Sequence, residues 1–167
     1  MRHMNRNVVA VALMIVCAAC TSTPDSVGPY TPPTGLERNT HQAELLSREA
    51  ADSIDEGDLE GAEALLRQSL TADLFYGPAH NNLGVVFLMQ DKLYEAAQEF
   101  EWAKKLLPSA PDPRVNLALV LEQAGREEDA MLAWEGALEV APECRQAQTG
   151  RDRLATIRNE HPNPSSP

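Results

Sequence analysis

The sequence predicts an all-α protein in which a helical unit repeats along the chain to form an α-solenoid. Its composition is 43% hydrophobic but only 5% aromatic, with 9 glycines in 167 residues, which is typical of an Ala/Leu-rich helical protein rather than a sandwich or barrel. After the first forty residues, no segment alternates apolar and polar residues with the period of two of a half-buried strand. The chain also matches itself when it is shifted by about 34 residues, and a repeat of this length indicates a helical solenoid.

The N-terminus has the features of a secretory signal. Basic residues precede an uncharged apolar run from Val8 to Cys20, which is shorter than the roughly 20 residues of a membrane-spanning helix. A basic start, a short apolar run and small residues at its end are typical of a signal peptide. A start at Met4 instead of Met1 would leave Arg6 as the only basic charge. The C-x-x-C pair of Cys17 and Cys20 is not read as a redox or zinc site, because such sites need a folded scaffold around the thiolates.

These residues resemble the bacterial lipoprotein signal, in which small residues precede an invariant cysteine. Ala18-Ala19-Cys20 matches that signal, although Cys17 stands where the family usually has leucine. The resemblance implies that residues 1–19 are a signal peptide and that Cys20 receives a diacylglycerol, so that two or three acyl chains anchor the protein stably. Because no aspartate follows Cys20, the chain resembles lipoproteins of the outer membrane, and the expected location is the cell envelope, facing the periplasm. Cleavage without lipid attachment is the alternative.

The segments that flank the repeats are predicted to lack a packed structure. Residues 20–39 form the lipidated N-terminus and a flexible tether with four prolines between positions 24 and 33, and prolines favour extended backbone. Residues 159–167 read NEHPNPSSP and are predicted to be a disordered tail, because they offer almost no apolar surface to bury. The repeat domain is therefore expected at residues 40–158.

Three copies of one motif follow each other in that domain. The middle copy has Leu83, Gly84, Phe87, Ala96, Phe100, Ala103 and Pro108. The third copy has Leu117, Ala118, Leu121, Ala130, Trp134, Ala137 and Pro142, and the first has Glu49, Ala50, Ser53, Ala62, Leu66, Ser69 and Leu74. The spacing resembles the tetratricopeptide repeat. The resemblance implies three helix pairs, at about 43–76, 77–110 and 111–144.

The chemistry of the motif positions is consistent with that resemblance. Gly84 and Ala118 are small where the two helices of a pair cross, and the large apolar residues around them recur at helical spacing. Gly57, Asp91 and Gly125 are expected at the turns within the pairs. One pair cannot bury its own apolar face, so a stack needs a cap. Residues 145–158 are predicted to be this capping helix, with a buried stripe of Ala147, Leu154 and Ile157.

Composition and motifs argue against most kinds of chemistry. A formal net charge of -11 disfavours binding to nucleic acid or to an anionic membrane surface. The four histidines are scattered, and His80 is expected to be a packing residue. No metal-ligand set or phosphate loop is found, and the acidic run 52–58 lacks the spacing of a calcium loop. We therefore expect no cofactor, no metal, no small-molecule substrate and no enzymatic activity. An enzyme or enzyme accessory that uses Cys144 is the alternative.

The resemblance implies a concave face built from the first helix of each pair, where a protein or peptide partner would bind. The predicted partner-binding groove consists of Asn81, Asn82, Val85, Leu88, Met89, Val115, Asn116 and Leu119. Asn82 and Asn116 occupy equivalent positions, and in peptide-binding members such asparagines hold the ligand backbone; the alternative is that they bond local helix carbonyls. The only basic residues near this face are Arg48 and Arg114, so a carboxylate clamp is not expected. The apolar members suit an apolar or helical partner segment.

We therefore expect the protein to be a non-enzymatic scaffold, anchored in the outer membrane and binding a protein partner in the periplasm. By architecture the chain is similar to lipoproteins with tetratricopeptide repeats that assemble pili or secretion systems, namely type IV pilus pilotins and tight-adherence pilus lipoproteins. A lipoprotein that docks and regulates a cell-wall enzyme is one alternative. A cytosolic adaptor is another, if the N-terminus is not a signal. Glu99 and Lys105 are expected to be exposed on the convex face.

Overall fold

The computed structural model describes residues 38–160. The predicted signal peptide, Cys20, most of the tether and the end of the tail lie outside the described residues. The described range contains seven helices and no strand: α1 (Thr40–Glu56), α2 (Leu59–Ala72), α3 (Gly77–Met89), α4 (Leu93–Leu106), α5 (Asp112–Gln123), α6 (Glu127–Val140) and α7 (Arg145–Glu160). None of these helices is both long enough and apolar enough to cross a membrane.

The helices stack in pairs, as an α-solenoid requires. The closest packing is within α1 and α2, α3 and α4, and α5 and α6, each pair being joined by a short turn. Each second helix also packs on the first helix of the following pair, and α6 packs on α7. The first helices α1, α3 and α5 contact each other in order, so they form one layer and the second helices form the other. The predicted all-α solenoid of three pairs and a capping helix is confirmed.

The turns within the pairs lie where the repeat pattern predicts them. Gly57, Asp91 and Gly125 all have positive φ, at 82°, 60° and 71° respectively. Glycine adopts this left-handed conformation without steric cost, and helices commonly end at a residue in this conformation. Two helices also have side-chain caps, because Asn39 accepts from the backbone N–H of Gln42 and Asp58 accepts from that of Gly61. The caps satisfy donors that the first helical turn leaves open.

The core repeats with the motif. Leu66, Phe100 and Trp134 occupy equivalent positions and are almost completely buried, and the alanines four residues before each of them are fully buried. Gly84 lies where α3 crosses α4, and a Cβ atom there would be only 2.6 Å from the ring of Phe100. The small residue is therefore required for the close approach of the two helices, as the sequence indicated.

The capping helix packs through a different set of residues from the predicted stripe. Ala147 and Leu154 are buried as expected, but Ile157 is exposed. Gly150 takes its place in the contact, since a Cβ atom on Gly150 would be 2.4 Å from the indole of Trp134. The prediction for Ile157 was wrong because α7 crosses α6 closely at Gly150 and then extends beyond it.

Candidate partner-binding face

The predicted groove residues lie on α3 and α5, within the layer of first helices, but they are not equally accessible. Met89 is 53% exposed, whereas Val85, Leu88 and Leu119 are half-buried against the core. Val115 is only 4% exposed and belongs to the core itself. Its assignment to the groove is corrected, because a side chain so covered by its neighbours offers almost no surface to a partner.

The asparagines of the groove form a ladder between successive first helices. Asn82 donates from Nδ2 to the hydroxyl of Ser47 at 3.4 Å, and Asn116 donates from Nδ2 to Oδ1 of Asn81 at 3.1 Å. Ser47 and Asn81 occupy equivalent repeat positions, as Asn82 and Asn116 do, so the two bonds are the same contact repeated. The asparagines therefore bond side chains of the neighbouring helix rather than local helix carbonyls. An amide has a second N–H and an acceptor oxygen, so this ladder can still bond a ligand backbone.

The cations beside this face already have partners. Arg48 forms an ion pair with Glu44 at 2.9 Å on its own helix, and Arg114 donates to the carbonyl oxygen of Ala110 at 3.0 Å. Tyr76 lies near the same pair, and its pKa is raised by burial and by the carboxylate of Glu44, with a smaller opposing effect of Arg48. The face therefore presents amides and apolar side chains together with two arginines that are already bonded to neighbouring groups of the protein.

Glu122, near the end of α5, joins three helices at the end of the stack. Its Oε1 accepts the indole N–H of Trp134 at 2.5 Å, and its Oε2 accepts from the guanidinium of Arg153. Trp134 is almost completely buried in α6 and Arg153 lies on the capping helix. The carboxylate therefore holds α5, α6 and α7 together instead of facing a partner.

His80 is a packing residue, as predicted, but Glu99 is not exposed. His80 is fully buried and Glu99 is 5% exposed. Nδ1 of His80 lies 2.7 Å from a carboxyl oxygen of Glu99, while Nε2 lies 2.9 Å from the carbonyl oxygen of Leu74. The equivalent residues Leu65 and Ala133 pack against the core, and this apolar equivalence was the signal that position 99 faces inward.

The described residues offer no site for metal chemistry. They contain no group of three or more histidine, cysteine, aspartate or glutamate side chains that could hold an ion. Cys144 is half-buried and packs against the core at the start of the capping helix. The arrangement around the first helices is suited to holding a polypeptide segment by amide hydrogen bonds and apolar contact.

Comparison with known proteins identifies the fold but not a closer relationship. No family model matches the chain, and no curated protein matches it. Solved structures do: the first repeat domain of Spaghetti (RPAP3) bound to the HSP90 peptide SRMEEVD aligns with a TM-score of 0.71 at 16% identity, over 75% of this chain and 99% of that one. The chain has the fold of a tetratricopeptide-repeat domain.

Two further tetratricopeptide-repeat structures support this assignment. The Sgt2 domain from Aspergillus fumigatus has a TM-score of 0.69 at 17% identity, with 84% of this chain and 91% of that chain aligned. The second domain of human RPAP3, in complex with the HSP70 peptide SGPTIEEVD, has a TM-score of 0.65 at 21% identity, with 69% and 96% aligned. At these identities the likeness concerns the fold, and two of the three structures hold a peptide.

Proposed function

We propose that this tetratricopeptide-repeat chain is a non-enzymatic scaffold that binds an extended segment of a protein partner on the face formed by α1, α3 and α5. The observation that carries the proposal is the asparagine ladder, which places polar groups at regular spacing beside Met89 and the half-buried Leu88 and Leu119. The remaining N–H and carbonyl groups of these amides can bond the backbone of a peptide, and apolar side chains beside them supply affinity through burial.

The chemistry of this face favours an uncharged, apolar segment. The peptides in the two similar complexes, SRMEEVD and SGPTIEEVD, both contain consecutive glutamates. In this chain Arg48 and Arg114 are already bonded within the protein, so recruiting them to a carboxylate would break existing contacts. The partner segment is therefore expected to place apolar side chains against Met89 and to bond its backbone to Asn82 and Asn116.

The test is cross-linked capture of partners from intact cells with variants of this face. Met89→Asp combined with Asn82→Ala should abolish capture, because it places a charge against apolar surface and removes one amide of the ladder. Leu45→Asp is the matched control. Leu45 is 45% exposed at the N-terminal end of the stack, where its equivalents Ala79 and Pro113 are buried by a preceding pair. Undiminished capture by a folded double variant would refute the proposal.

We also propose that Cys20 carries the lipid anchor and that the domain lies in the periplasm at the outer membrane. The support is the sequence alone: the basic start, the short apolar run and Ala18-Ala19-Cys20. Cys20→Ser should abolish metabolic labelling with a fatty acid and release the protein from membranes, whereas Cys17→Ser should change neither. Membrane-bound, labelled Cys20→Ser protein would contradict the anchor.

Assembly of a pilus or secretion system is the process that we propose for this scaffold. The support is the combination of a lipoprotein signal with tetratricopeptide repeats, which is similar to the lipoproteins of those systems. A deletion strain should fail to assemble pili or secretin multimers, and the wild-type chain should restore assembly. Normal assembly in the deletion strain would exclude this process while leaving partner binding open.

A further inference from the structure

A second surface lies away from the first-helix layer, in a cleft between α4 and α6. The cleft has a volume of about 640 Å³, and Leu117 and Leu121 of α5 are among the residues at its base. Its walls include Tyr94 and Trp102 from α4 and Leu132 from α6. These three side chains are 73%, 45% and 66% exposed. They are three of the seven large apolar side chains exposed in residues 38–160, and such clustering marks an interaction surface.

The charges around this cleft leave one cation unmatched. Lys104 pairs with Glu101 at 2.7 Å, and Arg126 pairs with Asp129 at 2.7 Å. Lys105 instead lies over the indole of Trp102, with its Nζ 5.2 Å from the ring centroid. Among the described residues, no carboxylate lies within ion-pair distance of Lys105. An occupant that combines apolar or proline side chains with one carboxylate would therefore complement both the walls and the charge.

We propose that the cleft is occupied by the chain's own proline-rich segment, residues 28–37. Its sequence is GPYTPPTGLE, in which Tyr30 and Leu36 are apolar and Glu37 is the only charged residue. Proline-rich segments prefer an extended helix and dock in aromatic-lined grooves at a small entropic cost. The segment therefore has the prolines, the apolar side chains and the acidic group that the cleft requires.

Arg38, the first described residue, is connected by a series of contacts to one wall of the cleft. Arg38 pairs with Asp73 at 2.9 Å and lies over the ring of Phe75. Leu74, between these two residues, accepts a hydrogen bond from His80, whose ring stacks on Trp102 with centroids 5.9 Å apart. Glu37 immediately precedes Arg38 in the chain. Arg38 is connected through these contacts to Trp102, and Lys105 lies over the Trp102 ring.

The segment is also long enough to fill the cleft. In the extended proline-rich conformation a residue spans about 3.1 Å, so residues 28–37 span roughly 30 Å. The helix α4 has 14 residues, which at 1.5 Å per residue is roughly 21 Å. With the anchor proposed at Cys20, the docked segment would hold the repeat domain close to the membrane, and its release would lengthen the reach of the domain. This inference does not depend on the proposed partner face.

Acrylamide quenching of tryptophan fluorescence in the full chain tests the proposal. Trp134 is almost completely buried, so the quenchable emission comes from Trp102. In the wild type the segment should shield Trp102. Tyr30→Ser combined with Pro32→Ser and Pro33→Ser should raise the quenching constant severalfold. The matched control replaces Thr21, Ser22 and Thr23 by glycine and should leave the constant unchanged. Circular dichroism verifies that each variant is folded.

A charge exchange adds a specific test of the contact with Lys105. Lys105→Glu should raise the quenching constant by repelling Glu37, and combining it with Glu37→Lys should restore the shielding. Equal quenching of the wild type and the triple serine variant would overturn the proposal. Shielding that disappears on dilution would overturn it as well, because it would assign the cleft to a second copy of the chain.

Discussion

Gly84 and Gly136 provide a test of the packing with opposite outcomes for the same substitution. A Cβ atom on Gly84 would lie 2.6 and 2.7 Å from two ring atoms of Phe100, and this ring is fully buried and cannot move into solvent. Overpacking of this kind costs about 1–3 kcal/mol. Alanine recovers about 1 kcal/mol over glycine in a helix interior. Three ring atoms of Phe100 would lie closer than 3.0 Å to this Cβ, so the upper part of the overpacking range applies, about 2–3 kcal/mol. After the gain from alanine is subtracted, Gly84→Ala should lower the free energy of unfolding by about 1–2 kcal/mol.

Gly136 is the matched control on α6. The nearest atom to a Cβ there is Cδ of Arg114, at 3.9 Å, which is an ordinary contact, so Gly136→Ala should stabilise the domain by about 0.5–1 kcal/mol. Urea unfolding followed by far-ultraviolet circular dichroism measures both values. The two variants should also melt on opposite sides of the wild type, with a shift of roughly 4 °C per kcal/mol. A Gly84→Ala protein as stable as the wild type would refute the close crossing of α3 and α4.

Two further substitutions test polar contacts. Glu122→Ala should cost about 1–3 kcal/mol, because it leaves the buried indole N–H of Trp134 without its acceptor, whereas Glu135→Ala, on the exposed face of α6, should change the melting temperature little. Asp73→Asn should cost about 1–2 kcal/mol at neutral pH. Burial opposes ionisation of Asp73, but hydrogen bonds from Arg38, Thr40 and the backbone of Phe75 outweigh it, so its pKa lies below the ordinary 3.8. The wild type should therefore have the larger free energy of unfolding, and its difference from Asp73→Asn should be fully present above about pH 3.8. This difference should disappear as the pH falls through the lower folded pKa of Asp73. A difference that persists in acid would contradict this.

The fold could be predicted because the pattern of small and large residues is a local property of each repeat. The alternation of Ala96 with Phe100, and of Ala130 with Trp134, follows from helix geometry and the close crossing of a pair. Exposure on the concave face was harder to predict. Val115 has the spacing of a groove residue, yet its burial depends on how α5 packs against neighbouring helices, which spacing alone does not give.

The cleft between α4 and α6 could not be recognised by comparing the repeats. Tyr94, Trp102 and Leu132 correspond to Glu128, Gly136 and Gln98 in the other strong copy, so none of them belongs to the repeated pattern. Comparing the repeats reveals only the residues that successive pairs share. The cleft is formed by residues that differ between the pairs, so this comparison does not reveal it. Glu99 was misplaced for a related reason, since its charge suggested exposure while its equivalents in the other copies were apolar.

The contacts of Asp73 also determine how the domain would respond to a mechanical load. A chain held at its N-terminus receives any pull at Arg38 and Thr40, before the first turn of α1. Both side chains bond the buried carboxylate of Asp73, which lies between α2 and α3, and the backbone N–H of Asn39 bonds the carbonyl of Ala72 at 3.0 Å. Force would therefore pass across to the junction of the first two pairs instead of unwinding α1 from its end. Within residues 38–160 no helix pair precedes α1 and α2, and these bonds would therefore help the first pair to resist unfolding under a pulling force.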